Sequence, residues 1–182
     1  QKDKKESLSA WYSYPAWIID KWIHQFGEEK TIELCEYLNM PSHIDLRLNC
    51  MTESKDTILS RLDKLDVEII QSPESNCFIR VDSGLRNAVK SELFTKGLIH
   101  VQDRASGAVV ELLDPQPGDT VLDVCAAPGT KSGYIVEKIK NEGKIFASDV
   151  SQVRMLIGEK RSNELKWPIQ WKRNDASEDD FP

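Results

Sequence analysis

The chain has 182 residues, 40% of them hydrophobic and 30% charged, with 24 Lys and Arg against 30 Asp and Glu for a net charge of −6. That length holds one full domain and a smaller one, and the balance is that of a folded globular protein, not a disordered or collagen-like chain. The charge excludes a polybasic coat of the histone kind but leaves room for a local nucleic-acid site.

No apolar run approaches the roughly 18–20 residues of a membrane span. The stretch Gln1 to Ala10 is charged, has no signal-peptide core and does not begin with Met, so the chain reads as part of something longer. Cys35, Cys50, Cys77 and Cys125 are widely spaced without a CxxC pair, and His24, His43 and His100 are isolated. This disfavours a zinc site or redox dithiol. Three of the four cysteines are expected to be reduced core residues, from which a cytoplasmic location follows, and with these spacings and no long apolar run neither a metal nor a membrane partner is expected.

Pro15 suits the first position of a helix in which Ile18, Trp22 and Phe26 recur every fourth residue, and Gly27 ends it. A second helix carries Ile32, Cys35 and Leu38 and stops at Asn39 and Pro41. The aromatic set Trp11, Tyr12, Tyr14, Trp17 and Trp22 reads as core at this spacing rather than as a base-stacking platform. From His43 the pattern changes: Ile44, Leu46 and Leu48 alternate with polar residues as in a half-buried strand. A helix is expected over 54–66, then strands over Val67–Ile70 and Cys77–Val81 separated by the turn-prone segment Ser72 to Asn76. The result is a small α+β module of order β-α-β-β.

Beyond Gly97 a helix runs from Ala105 to Leu113 and ends at the Pro- and Gly-rich segment Asp114 to Gly118. Thr120–Val124 shows almost no alternation, as a strand buried on both faces would. Cys125 to Gly129 is a turn, Ser132–Lys140 a helix, Lys144–Ser148 a strand, Gln152–Leu165 a helix and Pro168–Lys172 a third strand. This alternation is the first half of a doubly wound α/β sheet.

In such sheets ligands sit outside the carboxyl ends of the strands. There the chain places the small residues Ala126, Ala127 and Gly129, then Asp149, 24 residues after Cys125, then Asp175. The small residues admit a ligand to the backbone, the next helix offers free N–H groups, Asp149 suits ribose hydroxyls and Asp175 an adenine amino group. The alternative is that both acids merely cap the helices that follow. GxGxxG and Walker A loops are absent, which argues against a pyrophosphate and for an adenosine with an amino-acid tail, S-adenosylmethionine.

Asp123-Val-Cys-Ala-Ala-Pro-Gly-Thr-Lys-Ser132 resembles the first motif of the RNA 5-methylcytosine methyltransferases, the Sun/NOL1/NOP2 family, with Thr130 for the usual Gly and Ser132 for Thr. Gly97 to Ser106, Leu46-Arg-Leu-Asn49 and Tyr14-Pro-Ala-Trp17 are similar to further family segments, the last to its bacterial ribosomal RNA branch. The resemblance implies N-terminal helices over 1–42, an RRM-like module over 43–100, and over 101–182 the first half of a Rossmann-like S-adenosylmethionine-binding methyltransferase sheet. It assigns the cofactor to Cys125, Ala126, Ala127, Pro128, Gly129, Thr130 and Lys131, with Asp149 at the ribose, Asp175 at the adenine and Arg154 as a basic residue nearby. Arg47 and Arg104 lie in family segments, as RNA-phosphate contacts or as structural ion pairs.

The implied activity is methylation of cytosine C5 in RNA, ribosomal RNA by branch, by a chain expected to be monomeric. In the family a cysteine thiolate adds to C6 and makes C5 nucleophilic. The motifs that carry those groups would follow Pro182, so no catalytic residue is assigned and the chain is expected to be incomplete. Two other readings stand beside this one: a non-catalytic cofactor- or RNA-binding module ending at 182, and a nucleotide-dependent oxidoreductase, which the missing GxGxxG disfavours.

Overall fold

In the computed structural model, which describes residues 2–71 and 77–177, the chain falls into two compact units, Gln1–His43 and Ile44–Pro182. The expected turn at Ser72 to Asn76 lies outside the described residues. No described helix is long and apolar enough to cross a membrane.

The first unit is three helices packed on one another, α1 (Lys2–Tyr12), α2 (Ala16–Phe26) and α3 (Glu28–Leu38). The charged start of the chain is thus helical, tied to its neighbours by ion pairs from Lys5 to Asp20 and from Lys4 to Glu28. Pro15 caps α2 from outside instead of opening it, and Gly27, at φ +83°, ends α2 and starts α3. The aromatic set is not core as expected: Trp11 is 81% and Trp17 61% exposed, while Tyr14 and Trp22 meet edge to face at 5.2 Å. The residue that α2 buries is Ile19, one position round the helix from the expected stripe.

The second unit opens with β1 (Ile44–Leu48), α4 (Lys55–Asp63), β2 (Glu68–Gln71), β3 (Phe78–Ser83), α5 (Leu85–Lys90), α6 (Glu92–Thr95) and β4 (Ile99–Val101). The strands form an antiparallel sheet in the order β2-β3-β1-β4. β4 and the two short helices before it complete a β-α-β-β-α-β module, and their brevity hid them from periodicity. Gly84 is required where the chain leaves β3: at φ +80° a Cβ would lie 2.2 Å from the Asp66 carbonyl oxygen.

One face of this sheet, with Leu46, Leu48, Ile79, Val81 and Ile99, packs on Ile58, Leu62, Ala88 and Leu93 of the helices. The other face is covered as well. β1 is therefore not half-buried, because Asp45 and Arg47 are buried along with Leu46 and Leu48. Phe78 on this second face stands over Gly107, where a Cβ would come within 2.1 Å of its ring. It also meets Tyr134 edge to face at 6.1 Å.

The covering elements belong to the following segment, α7 (Arg104–Leu113), β5 (Thr120–Asp123), α8 (Thr130–Lys138), β6 (Lys144–Asp149), α9 (Gln152–Leu165) and β7 (Ile169–Arg173). β5, β6 and β7 pair in parallel in that order, as the strand-helix alternation predicts. β5 departs from expectation in one respect. It is an edge strand among the described residues, so Leu122 is 44% exposed and the strand is not buried on both faces.

The cysteines also depart from expectation. Cys50 and Cys77 are joined by a disulfide, with Cα atoms 6.1 Å apart. The antiparallel register Arg47↔Phe78 brings the end of β1 to the start of β3, so two residues 27 apart in sequence become neighbours. Cys35 is free and buried, and Cys125 is free and exposed.

Candidate functional site

The loop after β5 is assembled from both sides. Asp123 ends the strand and its carboxylate accepts from Cys125 N at 3.3 Å and from Ser132 Oγ at 2.8 Å, which fastens both ends of the turn. The loop is closed by Gly129 N donating to Ala126 O at 2.7 Å, with the Ala127–Pro128 bond cis. Beneath it lies the indole of Trp171 on β7. A Cβ on Gly129 would come within 3.2 Å of that ring and one on Gly158 of α9 within 2.5 Å, so the loop, the helix and the strand meet where two side chains are missing. The glycine inside α9 was the sequence signal for this junction; neither Gly158 nor Trp171 was expected there.

The expected site residues divide into a linked group and an outlier. Asp149, at the end of β6, is buried and accepts from Ala127 N at 3.0 Å through one oxygen and from Ser151 N at 2.9 Å through the other. Arg154 donates to the Ala127 carbonyl, so Ala127 is held at its N–H by an acid and at its C=O by a base. Lys131 reaches back to the Cys125 carbonyl at 3.4 Å. Asp175 is exposed and turned onto its own segment, accepting from Ser177 N and Oγ at 2.9 and 2.7 Å, and these bonds hold its carboxyl below the usual range. Cys125 is exposed and takes part in these contacts through its backbone.

This arrangement fits an adenosyl amino acid. No side chain caps the N-terminus of α8, so its first N–H groups and positive dipole end are open to a carboxylate. Each Asp149 oxygen accepts one backbone bond and keeps a lone pair for a ribose hydroxyl.

Behind the loop, a charged cluster joins α8 to the antiparallel sheet. Arg47, at 0% exposure, pairs with Glu137 of α8, donates from Nε to Gln102 Oε1 at 2.7 Å, and lies 4.3 Å from the centroid of the Tyr134 ring. Burial pushes its guanidinium pKa down and Glu137 opposes that. Arg104 and Arg80 both pair with Asp45, at 3.2 and 3.3 Å. Of the two roles open to Arg47 and Arg104 from sequence, the geometry gives both the structural ion pair.

His100, 5% exposed, places Nε2 3.1 Å from both Glu137 Oε1 and the Gly97 carbonyl, with Trp167 beside its ring. Burial holds its pKa below the ordinary imidazole value; Glu137 opposes this, and Arg47 and Arg161 add to it. Below about pH 6.5 the unfolded chain therefore binds a proton that the folded chain refuses, and stability falls as pH drops through that window. Urea midpoints from pH 7.5 to 5.5 are expected to fall less for His100→Gln than for the unaltered chain. Equal slopes would contradict the assignment.

Comparison with known proteins places these elements in a family. Residues 110–180 match the model of the 16S rRNA methyltransferase RsmB/F, and residues 14–88 match that of the RsmF/B-like ferredoxin-like domain. A probable ribosomal RNA small subunit methyltransferase B of Synechocystis is 32% identical over 152 residues, 80% of this chain and 33% of that protein. A mouse 28S rRNA (cytosine-C(5))-methyltransferase is 48% identical over 63 residues, 35% of this chain and 14% of that protein. The crystal structure of PH0851 superposes with a TM-score of 0.84 at 29% identity, over 94% of this chain and 39% of that one. The chain thus spans about a third of the length of the relative from Synechocystis. A ferredoxin-like module leading into a parallel sheet that carries the Asp123–Ser132 loop is what this chain shares with the RsmB/F family of methyltransferases.

Proposed function

We propose that this chain supplies the S-adenosylmethionine loop and the RNA-presenting module of a cytoplasmic methyltransferase acting on cytosine C5 of ribosomal RNA. The observation that carries the reading is the loop itself, held open by Asp123, Asp149 and Arg154 over a Trp171 floor and leading into an uncapped helix. Bound there, the cofactor would supply a sulfonium methyl group. The α8 N-terminus would take its carboxylate, the backbone of Cys125 to Lys131 its methionine portion, Asp149 its ribose and Asp175 its adenine. Arg154 acts on the ligand through the Ala127 carbonyl it holds.

No residue of this chain is assigned the attack on cytosine. Cys50 and Cys77 are bonded to each other, Cys35 is buried in the first unit, and Cys125 faces the cofactor with its backbone. A reducing cytoplasm works against the Cys50–Cys77 bond, which makes it the feature least in keeping with the proposed location.

Calorimetric titration with S-adenosylmethionine and, separately, with NADH tests the cofactor assignment. Heat of binding is expected for the first and none for the second. NADH binding without S-adenosylmethionine binding would replace this reading with the oxidoreductase one.

A further inference from the structure

An antiparallel module of this kind would ordinarily offer one sheet face to RNA, but here that face is spent: Arg47 and Phe78 pack on α7 and α8. RNA held by this chain, which the proposed function requires, needs another surface. The seam between α6, the edge strand β4 and α9 supplies one. It holds a cavity of about 360 Å³ lined by the apolar Phe94, Val101, Ile157 and Trp167 together with the charged Lys160, Arg161 and Glu164. That volume and lining are those of a small-molecule pocket, mostly apolar with a few directed charges.

The two cations are prepared differently. The Arg161 guanidinium lies over the Phe94 ring, 4.7 Å from its centroid, and donates to the Phe94 carbonyl, so it is held in place as a flat cationic shelf. Its pairing with Glu164 is loose, at 3.6 Å. Lys160 is exposed and has no ion-pair partner among the described residues. In a chain of net charge −6, two cations against one acid around an apolar slot are a local excess that favours an anionic, flat ligand. Bases of single-stranded RNA stack on aromatic rings and on arginine planes, and their phosphates seek lysine.

We propose that this slot holds one nucleotide of single-stranded RNA, its base against the apolar walls and the Arg161 shelf and its phosphate at Lys160. Pro128 to Thr130, the end of the proposed cofactor loop, also line the slot, so a nucleotide seated here sets the register of the strand beside the proposed methyl donor.

The test is fluorescence anisotropy of a labelled RNA dodecamer with the 182-residue chain over a range of salt. Lys160→Glu and Ile157→Asp, both at exposed positions, are each expected to weaken binding about fivefold or more, and Lys64→Glu just after α4, with the same charge change, less than about twofold. Lys160→Glu should also flatten the salt dependence by about 0.7 in log–log slope, one phosphate contact. Ultraviolet crosslinks should fall on peptides containing Phe94 or Trp167. Equal losses from the Lys64 and Lys160 changes, or RNA binding indifferent to both pocket changes, would overturn the slot and leave the RNA reading standing. No RNA binding by the unaltered chain would overturn both.

Discussion

Replacing Arg47 with alanine is expected to cost the unit Ile44–Pro182 about 3–5 kcal/mol, because it leaves the Glu137 carboxylate buried without its charge partner. Gln102 loses its donor and the Tyr134 ring its overlying cation in the same step. His100 stays 3.1 Å from Glu137, but burial, the largest of the effects on its ring, still disfavours its protonation. The double change Arg47→Met with Glu137→Leu is expected to recover most of the loss, since two apolar side chains of similar size need no compensation. Urea unfolding of the three proteins, followed by far-ultraviolet circular dichroism, measures both effects. A loss below about 1 kcal/mol for the single change would mean that water reaches Glu137. The prediction also separates the two roles the sequence leaves open for Arg47: a phosphate ligand at the surface would be removed with little cost to stability.

Asp149→Ala is expected to destabilise the cofactor-free chain by about 2–4 kcal/mol, from two backbone N–H groups, those of Ala127 and Ser151, that lose a charged acceptor. A residue serving as a ribose ligand alone would show no such cost, and its removal would relieve a buried charge. Asp149→Asn is expected to be little better than alanine, since an amide can accept one of the two bonds but turns its NH2 toward the other donor. The same substitutions are expected to weaken S-adenosylmethionine binding by about 1–3 kcal/mol beyond the stability effect. Urea unfolding without ligand and calorimetry with it separate the contributions. Unchanged stability would show that Ser151 and Ala127 find other partners, and unchanged affinity would remove Asp149 from the ribose.

Most of the methyltransferase half was legible along the chain. Its strands are short and separated by Pro- and Gly-rich stops, and its helices carry apolar residues at helical spacing, so each boundary falls within a few residues of the expected one. The loop was legible for a different reason: small residues directly after a strand have few uses except close approach by a ligand. The antiparallel module was half legible. β4 has three residues and α6 four, too short for any period to register. The aromatic set of the first unit misled because helical spacing specifies a face and says nothing about what covers it.

By itself, then, the sequence determined which segments beyond Gly97 alternate as helices and parallel strands, where the small-residue loop after β5 lies, and that Asp149 and Asp175 stand at successive strand ends. These follow from local preference and period. Only the tertiary structure decided which partners the charges meet. Arg47 and Glu137 are 90 residues apart, the first set between Leu46 and Leu48 as the outward position of a half-buried strand would be and the second beside Lys138 on a helix, yet they form one buried pair because a second layer closes over the sheet. The same closure partly covers Arg104 and spends the sheet face on packing, and the β1–β3 register brings Cys50 to Cys77. Burial and ion pairing depend on what arrives from distant parts of the chain, and no local pattern carries that information.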